Sequence, residues 1–132
     1  MPVDSHDLDE VLAQLTRERQ WTAHYFGGRK TPRLIAFTFI WRGSGCADVV
    51  LLRGEDVAAA YRAPSDGRTD ILRPDLVCWS YEGSALWTMR AVLTIYPPTH
   101  PHAPYRLYRS PASCRIPDTE ARPLVIRPTV MV

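Results

Sequence analysis

Eight of the twelve prolines of this chain fall between Pro97 and Pro128. Proline fixes φ and removes a backbone donor, so regular structure must be sparse along that stretch. The packed elements are therefore expected in residues 1–96, as an α+β core domain. Residues 97–132 are expected as a Pro-rich, irregular C-terminal segment packed on the same domain, leaning to extended paths. Leu124–Ile126 can still add an edge strand, because proline is tolerated at strand ends.

The length of 132 residues fits one domain, which buries roughly two-thirds of its unfolded surface. Hydrophobic residues make up 45% and charged residues 23%, which argues against disorder of the whole chain. Before the prolines dominate, the pattern reads as helix, two strands, helix, two strands. Leu8, Val11, Leu12 and Leu15 recur at helical spacing, with Ser5 to cap and Asp7, Asp9 and Glu10 in the first turn. This spacing predicts a helix over 5–19. Trp21, Tyr25 and Phe26 should then fold back onto the core.

Residues 34–42 alternate Ile35, Phe37, Phe39 and Trp41 against Leu34, Ala36, Thr38 and Ile40, as a central strand apolar on both faces does. Gly43-Ser44-Gly45 turns the chain into a second strand over 46–52, giving an antiparallel hairpin. Acids first, alanines within and Arg62 last predict a short helix over 55–62. Pro64, Asp66, Gly67 and Pro74 mark a surface loop, and 76–81 reads as a third strand. Residues 85–96 carry two periods. Trp87, Met89, Ala91, Leu93 and Ile95 alternate as in a strand, whereas Leu86, Met89, Leu93 and Tyr96 make a helical stripe. The alternation is the stronger, so a fourth strand is expected, with a helix as the alternative. The expected fold is an antiparallel sheet of about four strands in two hairpins, with two helices on one face.

Charge narrows the function classes. The net charge of +2 is too small to imply a polyanion partner by itself. The cations comprise fifteen Arg and one Lys, a usage that reads as coding bias more than as a functional surface. Residues 83–132 carry 6 basic and 2 acidic groups, so the C-terminal part is mildly cationic. Three cysteines, an odd number without a close ligand pair, do not make a disulfide framework. The acidic, polar start is unlike a signal peptide, and no apolar run reaches membrane-spanning length. The expected location is the cytoplasm, with no membrane partner.

Several constellations bear on chemistry. His100 and His102, with Cys114 or Asp118, could be offered as metal ligands, but two loop histidines fall short of a site, and no metal or cofactor is expected. Gly27–Thr31 resembles a phosphate cradle in composition only, since its spacing is not that of a P-loop. Cys46 or Cys78 with His24 and an aspartate could be drawn as a nucleophile triad, without any local signature to support it. Arg29, Lys30, Arg33, Arg106, Arg109 and Arg115, with Tyr105 and Tyr108, could make a nucleic-acid surface. The weak net charge speaks against that reading.

Trp41, Trp79 and Trp87 suit either a core or the wall of a ligand pocket. Tyr96, Tyr105, Arg106, Tyr108 and Arg109 carry the side chains enriched at interface hot spots, on a segment stiffened by proline. The favoured reading is a non-catalytic accessory or regulatory protein acting by protein–protein interaction. Its partner would be another protein or a second copy of itself. The alternatives are a small-ligand-binding protein or enzyme with an aromatic-lined pocket, and a nucleic-acid-binding protein.

Overall fold

The computed structural model describes residues 10–28, 30–118, 120 and 122–128. Helix α1 covers residues 10–18, and its last turns, Gln14–Glu18, are widened to π geometry. Arg19 N–H closes that end on Gln14 O at 3.0 Å. Gln20 then takes φ 57°, a left-handed conformation that stops the helix. Val11 and Leu15 of α1 are buried, as the helical spacing requires. Ser5, Asp7, Leu8 and Asp9 lie outside the described residues.

Strands β1 (Thr22–Phe26), β2 (Leu34–Trp41), β3 (Cys46–Leu52) and β4 (Ala58–Pro64) form an antiparallel meander. β5 (Leu76–Val77) and β6 (Trp79–Gly83) follow, then helix α2 (Ala85–Thr94), β7 (Tyr108–Arg109) and β8 (Leu124–Ile126). The main sheet has six strands in the order β6-β4-β3-β2-β1-β8, and β5 pairs with β7 in a two-stranded sheet. The four-strand expectation is thereby corrected to an antiparallel system of six and two strands. The β2–β3 hairpin stands where the sequence pattern put it, and so does the edge strand at Leu124–Ile126.

Three local assignments change. The stretch 55–62, expected as a helix, forms the turn after β3 and most of β4. Its alanines act as thin spacers: Ala58, Ala60, Ala59 and Ala63 are all buried, with layers packed on both faces of the strand. Helix propensity is a weak prior beside two-sided burial in a sheet. The stretch 85–96, expected as a strand, is helix α2 over Ala85–Thr94. Ser84 caps it, its hydroxyl accepting from Trp87 N–H at 3.3 Å, and Pro97-Pro98 lie beyond its end. Ala85, Leu86, Thr88, Met89 and Val92 make a buried face too wide for the narrow stripe sought in the sequence. The third strand is broken at Cys78, whose N–H bonds to Arg62 O at 2.9 Å, so β5 and β6 are separate.

The sheet is covered on both sides. On one face α1 and α2 pack Val11, Leu15, Leu86, Met89 and Val92 against Phe37, Val50, Ala58 and Ala60. Burying each of the larger side chains contributes roughly 1.5–3 kcal/mol. Both helices thus lie on one face, although the second is not the one read from the sequence. On the other face Phe26, Leu34, Val49, Leu51 and Tyr61 meet Val77, Cys114 and Ile116, with Ile71 and Leu72 from the loop after β4. Among the described residues, no helix is long and apolar enough to cross a membrane.

Candidate functional site

The proline-rich segment begins as two tight turns. His100 N–H bonds to Pro97 O at 2.9 Å, and Ala103 N–H to His100 O at 3.0 Å. The Tyr96 ring stacks on His100 with centroids 3.9 Å apart and planes 6° apart. The chain then extends through residues 104–107 into β7, where Arg109 faces Leu76 and Tyr108 faces Val77. A 3-10 turn at Ala112–Cys114 sends Cys114 and Ile116 into the second core. Arg53 fastens this turn by donating to Ser113 O at 2.8 Å and Arg115 O at 3.1 Å. Arg115 in turn bonds Asp75 at 2.8 Å. The segment is an arm laid along its own domain, and its extended part faces outward.

That part brings four of the expected interaction residues together. Tyr105 is 77% exposed, Leu107 52% and Tyr108 42%, and Leu76 across the β5–β7 pair is 44% exposed. Arg106 and Arg109 are exposed and make no side-chain hydrogen bond or ion pair within the described residues. Tyr108 OH is fixed by a 2.6 Å hydrogen bond with Ser80 Oγ. Tyr96 belongs to a different cluster, at the end of α2. Its carbonyl accepts from Arg62 Nη1 at 2.7 Å.

Arg62 is the centre of a buried polar network that the sequence reading missed. It is 1% exposed and forms a two-pronged pair with Asp48, itself 2% exposed. Nε donates to Oδ1 at 2.6 Å and Nη2 to Oδ2 at 2.9 Å. Trp41 Nε1 also donates to Asp48 Oδ2, at 2.9 Å, and Arg62 stands 5.6 Å from the Trp41 ring. Burial alone would lower the Arg62 pKa, but the hydrogen bonds and charge of Asp48 hold it above the ordinary value. The available signal was a lone Asp inside the apolar run 46–52 and a lone Arg among the alanines of β4. The strand register alone joins them, Asp48 to Arg62.

The three tryptophans separate. Trp41 and Trp79 flank Arg62, on β2 and β6. Trp87 is 58% exposed on α2, with Arg90 at 5.3 Å over its ring. Trp41 and Phe39 line an open cavity of about 670 Å³ beyond the start of β1, with Thr22, Thr38, Arg42 and Arg127. Trp79 and Trp87 are not part of that wall.

The remaining constellations are placed as follows. Burial pushes the Cys46 thiol up to about 11 and also raises Cys78 and Cys114, against the pull of nearby arginines. His24 points to the opposite sheet face from Cys46 and pairs with Thr38 at 3.0 Å. Its pKa is lowered by burial first and by Arg127 second. His102 N–H bonds to His100 Nδ1 at 3.0 Å, while Cys114 is buried in the second core and Asp118 pairs with Arg73. Among the described residues no three His, Cys, Asp or Glu side chains are grouped to hold a metal ion. Gly27 and Gly28 take φ 90° and 101° in the β1–β2 turn, closed by Arg33 N–H to Phe26 O at 2.8 Å. Arg29 lies outside the described residues. Arg33 and Arg115 are each paired with a carboxylate, leaving Lys30, Arg106 and Arg109 as the described cations of that group without one.

Comparison of the chain with known protein-family models, with curated proteins and with solved structures finds no match.

Proposed function

We propose that the chain is a protein-recognition module whose contact surface is the extended segment 105–109 with Leu76. The observation that carries this reading is the exposure of Leu76 in β5 together with Tyr105 and Leu107 in the extended segment before β7; Tyr108, opposite Val77, is exposed on the other side of the strand pair. Large apolar side chains that share a patch are the usual mark of a binding surface, and Tyr and Arg dominate interface energetics. The patch is also ordered in advance. The β5–β7 ladder, the Tyr108–Ser80 hydrogen bond and the anchored turn after it fix the backbone that a partner would meet. A partner would then regain little of the ordering cost that weakens flexible peptides. Arg106 and Arg109 favour an acidic contact beside the apolar one.

The test is a tagged full-length chain used to isolate a partner from cells that express it, followed by binding measurements with that purified partner. Replacing Tyr105 and Arg106 by Ala is expected to weaken binding by roughly 2–4 kcal/mol, the range of hot-spot residues. The melting temperature should stay unchanged, because both side chains are exposed. Undiminished affinity of the double variant would refute the assignment of the surface.

A further inference from the structure

Strand β6 is a terminal strand of the main sheet, and its free edge follows from the phase of the ladder. Arg53 N–H bonds to Val57 O at 3.0 Å and Ser65 N–H to Gly45 O at 2.9 Å, at the two ends of the β3–β4 pair. Antiparallel strands alternate hydrogen-bonded and non-hydrogen-bonded pairs. These two bonds therefore turn the main-chain groups of Ala59, Tyr61 and Ala63 toward β3, and those of Ala58, Ala60 and Arg62 toward β6. The register opposes these last three to Gly83, Tyr81 and Trp79. The N–H and C=O groups of Ser80 and Glu82 then point out of the sheet. Among the described residues, no main-chain or side-chain hydrogen bond outside the ladder reaches them.

β6 is short and follows the break at Cys78, but other guards of an edge are missing from it. It contains no proline or lysine, and Glu82 is its one charged residue. That carboxylate is held by Ser113 Oγ over the second face. Arg62 and Ala60 put Trp79 and Tyr81 on the helix face, where their rings stack 6.5 Å apart with planes 13° apart.

We infer that β6 is a self-association edge, on which a second copy of the chain pairs its own β6 antiparallel about a two-fold axis through Tyr81. This register satisfies every outward group at once. Ser80 meets the partner's Glu82 and Glu82 meets the partner's Ser80, both as hydrogen-bonded pairs. Tyr81 meets the partner's Tyr81 in the close, non-hydrogen-bonded position. Trp79 falls opposite the partner's Gly83, whose side-chain position is already covered by the Tyr81 ring of its own chain, so the indole would meet that ring. The two stacked ring pairs join into one aromatic ladder, the kind of cross-strand contact that stabilises sheets. The two sheets become one continuous sheet. This inference goes beyond the proposed recognition surface: it uses the main chain of β6, not the side chains of 105–109, so either can fail alone.

The test is sedimentation velocity on the full chain from micromolar to submillimolar concentration. The wild type is expected to sediment as a dimer. Tyr81→Arg and Tyr81→Glu should each sediment as folded monomers, because residue 81 would face its own charge across the axis. Their equimolar mixture should recover the dimer, which only a residue facing its own copy predicts. Ser80→Pro removes an outward donor and leaves the bonds to β4, so it should also give a monomer. It serves as the deciding variant if either charged variant does not fold. A monomeric wild type, a dimeric Tyr81→Arg, a mixture that stays monomeric or a dimeric Ser80→Pro would each overturn the inference. The Tyr81 variants keep the Tyr108–Ser80 hydrogen bond of the 105–109 surface, so their results do not touch the binding of a different protein there.

Discussion

Replacing Asp48 by Ala tests whether the buried pair is a structural keystone. Arg62 has almost no solvent contact, and two of its three hydrogen bonds go to Asp48. The substitution leaves a guanidinium inside the protein with only the Tyr96 carbonyl to meet it, and it strips Trp41 Nε1 of its acceptor. Breaking a buried pair by removing one partner costs about 3–5 kcal/mol. With about 2.1 cal/mol/K of unfolding entropy per residue, a chain of 132 residues should lose roughly 11–18 °C of Tm. The same reasoning fixes the double variant. Asp48→Ala with Arg62→Met removes the stranded charge as well, and should be more stable than Asp48→Ala alone by roughly 2 kcal/mol. Urea titrations of the wild type, both single variants and the double variant close the cycle. The argument is refuted if Asp48→Ala costs under about 1 kcal/mol, or if the two single costs simply add.

Two further outcomes follow from the perturbed groups. His24 has a folded pKa below its unfolded value of 6.5, so folding disfavours its protonated form. The unfolded chain then binds more protons, and stability present above the unfolded pKa is lost as pH falls through the folded one. The urea midpoint of a His24→Gln variant should fall less between neutral pH and pH about 5 than that of the wild type; an equal fall would count against a buried neutral imidazole. Cys46, pushed up to about 11 chiefly by burial, should be a protonated thiol at neutral pH and react slowly with iodoacetamide in the folded protein. Mass spectrometry of the alkylated peptides decides this, and labelling at the rate seen in urea would contradict it.

The sequence was legible where bulky, strand-favouring side chains run together or where a turn is spelled out. Gly43-Ser44-Gly45 between two apolar runs could hardly be other than a hairpin, and the faces of β2 followed from its alternation. β4 was illegible because covering both faces erases alternation, and the space left between the layers admits mainly alanine. Alanine carries no strand signal, and Glu55-Asp56 imitated the start of a helix. α2 failed in the opposite sense. Its Trp, Thr and Val content favours strands, while the decisive feature was Ser84, a single capping residue. The exposure of Tyr105, Arg106, Tyr108 and Arg109 was readable because proline keeps that stretch out of the core. The Asp48–Arg62 pair was not readable, since two residues far apart in sequence meet only through a register that no local pattern encodes.

The strand order carries one more consequence. β1 obtains its second neighbour from β8, where Ala23 stands opposite Ile126. A ribosome delivers that neighbour only after every other described strand has been made. Until then the nascent sheet has an unfinished margin at β1, and the pairing that completes it spans nearly the whole described chain. Such non-local closure slows folding. It also gives chaperones, or the β8 of a neighbouring nascent chain, an interval in which to occupy the vacant place.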